Sequence, residues 1–138
     1  MLKPIEVSST YYLSTLAQLQ PDKRQYLDDD ILADHYYLVF QGLPVAGFGT
    51  NKDGRLTGLF SLSLGIKDQL MDTRVKQAML DKDEGEQLKM NCIGKYLIHD
   101  YTTRGFTITK TYNWNPTLAP ARWVSEENPF IYELMGPV

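Results

Sequence analysis

The spacing of apolar residues changes several times along the chain, and each change marks a new element. Over residues 11–20, YYLSTLAQLQ, the positions Tyr12, Leu16 and Leu19 recur at helical spacing. Ser9 or Thr10 supplies a cap for that helix and Pro21 ends it, since proline cannot donate to the turn before it. The stretch LDDDILADH reads as a short second helix or a turn, its aspartates facing solvent at a helix start. From Tyr36 the texture becomes aromatic and β-branched, broken by Gly42 and by Asp53-Gly54, a hairpin signal because glycine tolerates positive φ. Three antiparallel strands are predicted, at about 36–41, 44–50 and 55–62. Gly47 and Gly49 inside the middle strand imply a bulge or a close neighbour.

Helical spacing returns over residues 66–80, with Ile66, Leu70, Val75, Ala78 and Met79 on the apolar face. Asp68, Asp72, Arg74 and Lys76 are assigned to the opposite, polar face, and Gly85 is the expected C-terminal cap. Leu88, Met90 and Cys92 then alternate with polar residues, as in a strand. A short helix at about 95–103 sets Leu97 and Tyr101 one turn apart and stops at Gly105. FTITKTY is a strand with its threonines on one face, and FIYELM, after a Pro-rich loop, is the last strand. The fold class is α+β with a mixed sheet: an antiparallel meander followed by β-α-β-α-β, expected as a single domain over residues 1–138. The passage from strand 55–62 through helix 66–80 to strand 88–92 is a crossover, which joins parallel strands. Ligands in such sheets bind beyond the strands' carboxyl ends.

Composition removes several classes of function. A net charge of −3 argues against a general nucleic-acid binder, which needs a basic face, although a local basic pocket is allowed. Cys92 is the one cysteine, so no internal disulfide forms, and with two histidines no zinc cluster can be assembled from it. The start MLKPIEVSST lacks the apolar core of a signal peptide, and no apolar run approaches the ~20 residues of a membrane helix. A cytoplasmic setting, without membrane partners, is the expectation.

Four pieces, in order, carry a family likeness: LTGLFSL (56–62), LKMNCIGKYL (88–97), YTTRGF (101–106), and WNPTLAPARW followed by PFIYELM. Together they resemble the fourth strand, the fifth strand, the Tyr-x-x-x-Gly-Phe element, and the Ala-Pro-x-x-Trp loop with final strand of the GNAT N-acetyltransferase superfamily. The branch they are most similar to is common in phage and mobile-element genomes. The resemblance implies a GNAT-like fold whose fourth and fifth strands splay apart around acetyl-CoA, the acyl donor to a small-molecule or protein amine. It also implies that backbone around Ser61, Leu62, Ser63 and Leu64 holds the pantetheine. Gly65, Ile66 and Lys67, at a helix N-terminus, would take the pyrophosphate, where free N–H groups and the helix dipole attract an anion. The family's loop is glycine-rich, and here Gly65 is the only glycine kept. Lys67 is either a substitute phosphate contact or a solvated side chain. The reduced loop favours a rival reading, a GNAT-shaped phage protein that no longer catalyses and serves as a virion component or host-factor binder. Its setting would be the host cytoplasm or the virion.

By the same resemblance Tyr101 is the catalytic acid. A thiol's pKa is near ~8.5 and a tyrosine's near ~10, so the phenol is protonated at neutral pH and can donate to a departing thiolate. The alternative is a ring packed under the sheet one turn after Leu97. His99 and Asp100 point away from the face of Tyr101; His99 is either a base for the amine or a surface residue. His35 reads as a turn residue, and Cys92 as a small hydrophobe at a strand end. Asn91 either turns toward the splay or sits on an exposed face. Trp114 and Trp123 flank a loop that either covers an apolar edge or walls an acceptor pocket. The aromatics Tyr36, Tyr37, Phe40, Phe48 and Phe60 are core and cross-strand pairs, with a homodimer interface as the alternative.

Overall fold

Alternation in HYYLVFQ and LPVAGFGT gives each strand two apolar faces, so the sheet they form needs a helix on both sides. A computed structural model describes residues 2–19, 31–63, 65–93, 98–112 and 130–136, with Ile93 described through its backbone alone. Its elements run β1 (Pro4–Val7), α1 (Ser9–Leu16), β2 (His35–Gln41), β3 (Leu43–Thr50), β4 (Thr57–Ser61), α2 (Lys67–Asp81), β5 (Lys89–Ile93), α3 (Ile98–Thr102), β6 (Thr107–Tyr112) and β7 (Ile131–Met135). Two antiparallel sheets result, ordered β1-β2-β3-β4 and β5-β7-β6. The predicted α+β class, the meander and the later β-α-β-α-β order are all present, with the mixed sheet resolved into two antiparallel halves.

The layers follow from side-chain parity. Leu38 and Phe60 face α1 and pack with Tyr12 and Leu16. Tyr37, Val39, Ala46 and Phe48 face the other way and pack on Ile66 and Leu70 of α2. The second sheet turns Leu88, Met90, Tyr132 and Leu134 toward Met71 and Ala78 of α2 and Tyr101 of α3. α2 therefore floors both sheets. Its C-terminal end is fixed by Asp81, which accepts from the Tyr37 hydroxyl and Thr50 Oγ1, each at 2.6 Å, and from Gln77 Nε2 at 3.1 Å. Burial, then the bond to Asp81 and its charge, push the Tyr37 phenol well above its ordinary pKa. No helix among the described residues is long and apolar enough to cross a membrane.

Several expectations need correction. The sequence pattern missed β1, a four-residue edge strand with no buried side chain, held by main-chain pairing of Pro4 to Val39 through Val7 to Tyr36. Ser8, not Ser9 or Thr10, caps α1, its oxygen accepting from the Tyr11 N–H at 3.1 Å. His35 opens β2 instead of preceding it. Lys82, in extended conformation, ends α2, while Gly85 sits in the following turn. Residues 31–34 are not helical; residues 20–30, with Pro21, lie outside the described residues, as do 94–97 with Leu97.

Asp53-Gly54 does make the predicted turn, and Gly54 does more. Its φ is +87°, and a Cβ there would lie 2.2 Å from the Gln87 carbonyl oxygen. Gly54→Ala therefore combines left-handed strain with a backbone clash and should cost on the order of 2–4 kcal/mol in urea unfolding. A change under about 0.5 kcal/mol, the usual surface value, would show that this contact is slack.

β1 offers a second test. The His35 Nδ1 lies 3.0 Å from Glu6 Oε2 across the β1–β2 pair. That hydrogen bond raises the imidazole pKa, burial opposes it, and the charges of Asp81, Glu6 and Asp34 add to it. A raised folded pKa means the stabilisation is complete below about pH 6.5 and disappears as pH rises through the folded value. Because Glu6 is exposed and His35 is only half-buried, the effect stays below ~1 kcal/mol. His35→Gln should thus lower stability at about pH 6 and leave it unchanged at about pH 9, measured by urea unfolding at each.

Candidate active site

β4 ends the first sheet and β5 begins the second, so two edge strands face each other. They run parallel and are joined at one place among the described residues, the bridge between Arg55 and Lys89. There the Leu56 N–H donates to the Lys89 carbonyl at 2.9 Å and the Lys89 N–H to the Gly54 carbonyl at 3.1 Å. Beyond that joint β4 pairs with β3 and β5 with β7, and the two strands part toward Ser61 and Ile93. A bulge in β4 helps turn them apart. Gly47 pairs with Phe60 but Gly49 with Thr57, so β4 carries one residue more than β3 over that span. The bulge contains Gly58, at φ +65°, and its carbonyl accepts the Tyr12 hydroxyl from α1. A Cβ at Gly58 would lie 2.2 Å from that hydroxyl oxygen.

Tyr101 packs beside the joint. It is 4% exposed and shares a core with Leu56, Leu88 and Met90, the residues around the joint. Its ring meets Phe106 edge to face, centroids 5.7 Å apart, which accounts for both ends of the Tyr-x-x-x-Gly-Phe element. Its oxygen accepts from Arg74 Nη1 at 2.7 Å. Arg74 was expected on the polar face of its helix, and that expectation was wrong. α2 buries Leu70, Met71, Arg74 and Ala78, with Arg74 only 3% exposed, while Met79 is 42% exposed. Arg74 takes part in none of the ion pairs among the described residues, and its Nε is buried without a hydrogen-bond partner. Its charge also reaches Tyr12, whose phenol is pushed far up in pKa by burial and drawn partly back by Arg74. The guanidinium, rising from α2, thus acts on a tyrosine of the opposite layer.

The predicted cradle has its own contacts. Ser61 Oγ donates to the Ser63 carbonyl at 2.7 Å and accepts the Ser63 N–H at 3.3 Å, closing a small turn. The Leu62 N–H donates to Val45 at 2.7 Å. Leu64 lies outside the described residues; Gly65 is exposed, with nothing within 4 Å of the place a Cβ would take. Ile66 stands at the N-cap of α2 and is buried, so no side-chain oxygen caps this helix. Lys67 Nζ is 3.0 Å from Asp100 Oδ2, and Arg104 binds Asp72 at 2.8 Å and Asp68 at 3.5 Å. These pairs clamp α3 against the first turns of α2.

Other predicted residues fall elsewhere. His99 is exposed on α3 and lines an open hollow with Ile98, Thr102, Ile108 and Tyr132. Asn91 is exposed and pairs in register with Glu133; Cys92 is half-buried against the core. Trp114 and Trp123 lie outside the described residues. No group of acidic, histidine or cysteine side chains among the described residues could hold a metal. The residues that sequence reasoning missed are Arg74 and Gly58. The spacing Leu70, Arg74, Ala78 was visible as a four-residue stripe, but charge assigned Arg74 to the outside.

A parallel strand pair joined at one end, open at the other and floored by the crossover helix is the core of the GNAT acyltransferase fold, and the chain has that fold. The Arabidopsis thaliana protein Naa50, in complex with the bisubstrate analogue CoA-Ac-MVNAL, is similar over 99% of each chain with a TM-score of 0.60 at 13% identity. A putative N-acetyltransferase from Lactobacillus plantarum is similar over 96% of each chain with a TM-score of 0.52 at 14% identity. No family model matches the sequence, and no curated protein matches it.

The Tyr12–Gly58 bond ties the upper helix to the bulge. Tyr12→Phe removes the donor and leaves a buried carbonyl unpaired, which should cost about 1–3 kcal/mol. Faster amide hydrogen exchange in β4 than in β2 of the variant is the accompanying mark; uniform exchange would separate the bond from the bulge.

Proposed function

We propose that this protein is a GNAT-type N-acetyltransferase that moves an acetyl group from acetyl-CoA to an amine acceptor. The observation that carries the reading is the wedge between β4 and β5, joined only near Arg55 and Lys89 among the described residues. Peptide groups on the facing edges of Thr57–Ser61 and Met90–Ile93 have no strand partner across it. Such groups suit an extended amide-bearing arm. The uncapped start of α2, with open space at Gly65, suits a pyrophosphate. Acetyl-CoA supplies an acyl group activated as a thioester. Tyr101, held by Arg74, serves as the acid that protonates the leaving sulfur. The similar Naa50 complex supports a peptide N-terminus as one acceptor to try first.

The rival reading, a GNAT-shaped virion component or host-factor binder without catalysis, has one observation in its favour. Ser61 and Ser63 satisfy each other, and Lys67 is paired with Asp100, so these groups already have partners of their own.

Thermal melting with acetyl-CoA separates the two. A ligand at a hundredfold over Kd adds about 2.7 kcal/mol, so the unfolding midpoint should rise with cofactor concentration. No rise at millimolar acetyl-CoA would leave the non-catalytic reading standing. With binding established, the peptide Met-Val-Asn-Ala-Leu and a polyamine serve as acceptors. Tyr101→Phe should then lower turnover by about 10²–10⁴ and leave acetyl-CoA affinity unchanged. Equal turnover would reduce Tyr101 to a packing residue.

A further inference from the structure

Arg74 is hard to explain as packing. Burying an unpaired cation is expensive, and apolar residues of similar volume serve a helix face as well or better. Yet Arg74 is 3% exposed, has no ion pair among the described residues, and leaves Nε unbonded. Its one hydrogen bond among the described residues goes to Tyr101.

Donor bookkeeping gives that bond a direction. A guanidinium has five N–H donors and no acceptor, so the Tyr101 oxygen must be the acceptor. The phenol's own hydrogen is then left to donate elsewhere, and no acceptor for it is found among the described residues. Tyr101 shares its core cluster with apolar side chains, Met71, Met90 and Phe106 among them. The same guanidinium also influences Tyr12, which is bonded to the bulge carbonyl of Gly58.

We infer that Arg74 is a positioning residue: it turns the Tyr101 hydroxyl into a one-way donor toward the wedge and strengthens that donor by its charge. This rests on the reading that the wedge holds an acyl-CoA. The step balances. The amine nitrogen forms the C–N bond, and the C–S bond breaks with its electron pair on sulfur, where the Tyr101 hydroxyl donates to the forming thiolate. The proton lost by the attacking amine, passed through water, leaves CoA as the thiol. A hydrogen bond to an ionised sulfur is charge-assisted, and such bonds are roughly twice as strong as neutral ones.

Reduced CoA is the probe, because its thiolate absorbs in the ultraviolet and the readout needs no turnover. A donor backed by a positive charge should increase the thiolate fraction of bound CoA. Taking the low end of the effect of a nearby opposite charge, Arg74→Met should show about tenfold less bound thiolate at neutral pH than the parent. Arg74→Lys should recover most of it, and Tyr101→Phe should lose it. Arg74→Met should melt at or above the parent temperature, as expected for removal of an unpaired buried charge. Should that variant not fold, Arg74→Gln, which keeps donors and removes the charge, must show the same loss. Equal thiolate fractions in the parent and in either neutral variant, with CoA bound, would overturn the role of Arg74 and leave the acetyltransferase reading intact. If CoA does not stabilise the parent protein at all, the acetyltransferase reading falls and this inference falls with it.

Discussion

Two main-chain hydrogen bonds, Leu56 to Lys89 and Lys89 to Gly54, are the seam on which the site depends. They fix where β5 begins beside β4 but leave the rest of the pair unlaced. Their position is set from below. α2 has 15 residues, hence a length of about 22 Å at 1.5 Å per residue. Its end is tied to Tyr37 and Thr50 through Asp81, and the Asp83 N–H then donates to Lys52 at 2.7 Å. The chain therefore re-enters the sheet level beside the Gly54 turn. Past the seam, β5 is held by β7 and β4 by β3, and the Gly58 bulge adds twist that separates them. An unpaired buried peptide group costs roughly 1–3 kcal/mol. The opened edges are therefore stable only where water or another polar group reaches them.

The start of α2 looks poorly equipped for an anion when its charges are counted, since Lys67 meets Asp100 and Arg104 meets Asp72 and Asp68. The count overstates the difficulty. Lys67 is half exposed in its pair, and such pairs contribute about 0–1 kcal/mol. Exchanging one carboxylate for a phosphate there is inexpensive. The clamp between α3 and α2 also has a structural use: it holds Tyr101 at a fixed height over Arg74, which a loosely attached five-residue helix would not do.

Local pattern made the meander, α2 and the crossover legible, because period-two and helical spacing directly report burial. Asp53-Gly54 announced its turn, and Gly47 and Gly49 announced crowding: a Cβ at Gly47 would lie 2.6 Å from Phe60. β1 was not legible, since PIEV has no fully buried side chain and is held mainly by main-chain pairing. Arg74 was misplaced because charge is a prior for exposure, and here the helix buries it against Tyr101. The wedge itself came from family likeness; in the chain its local trace is Gly58, whose need for glycine appears only once Tyr12 is seen across from it.

That pairing of layers explains why the site cannot be read from one segment. Tyr12 belongs to the upper helix, Gly58 to the strand, Arg74 to the lower helix and Tyr101 to the short helix after β5. No two are neighbours in sequence, and each contact is polar in an otherwise apolar setting. A fold needing only stability would have filled these positions with leucine and phenylalanine, since unpaired buried polar groups weaken a core. The two contacts, one from each helix layer, instead tie four distant segments to one another at a cost that apolar side chains would avoid.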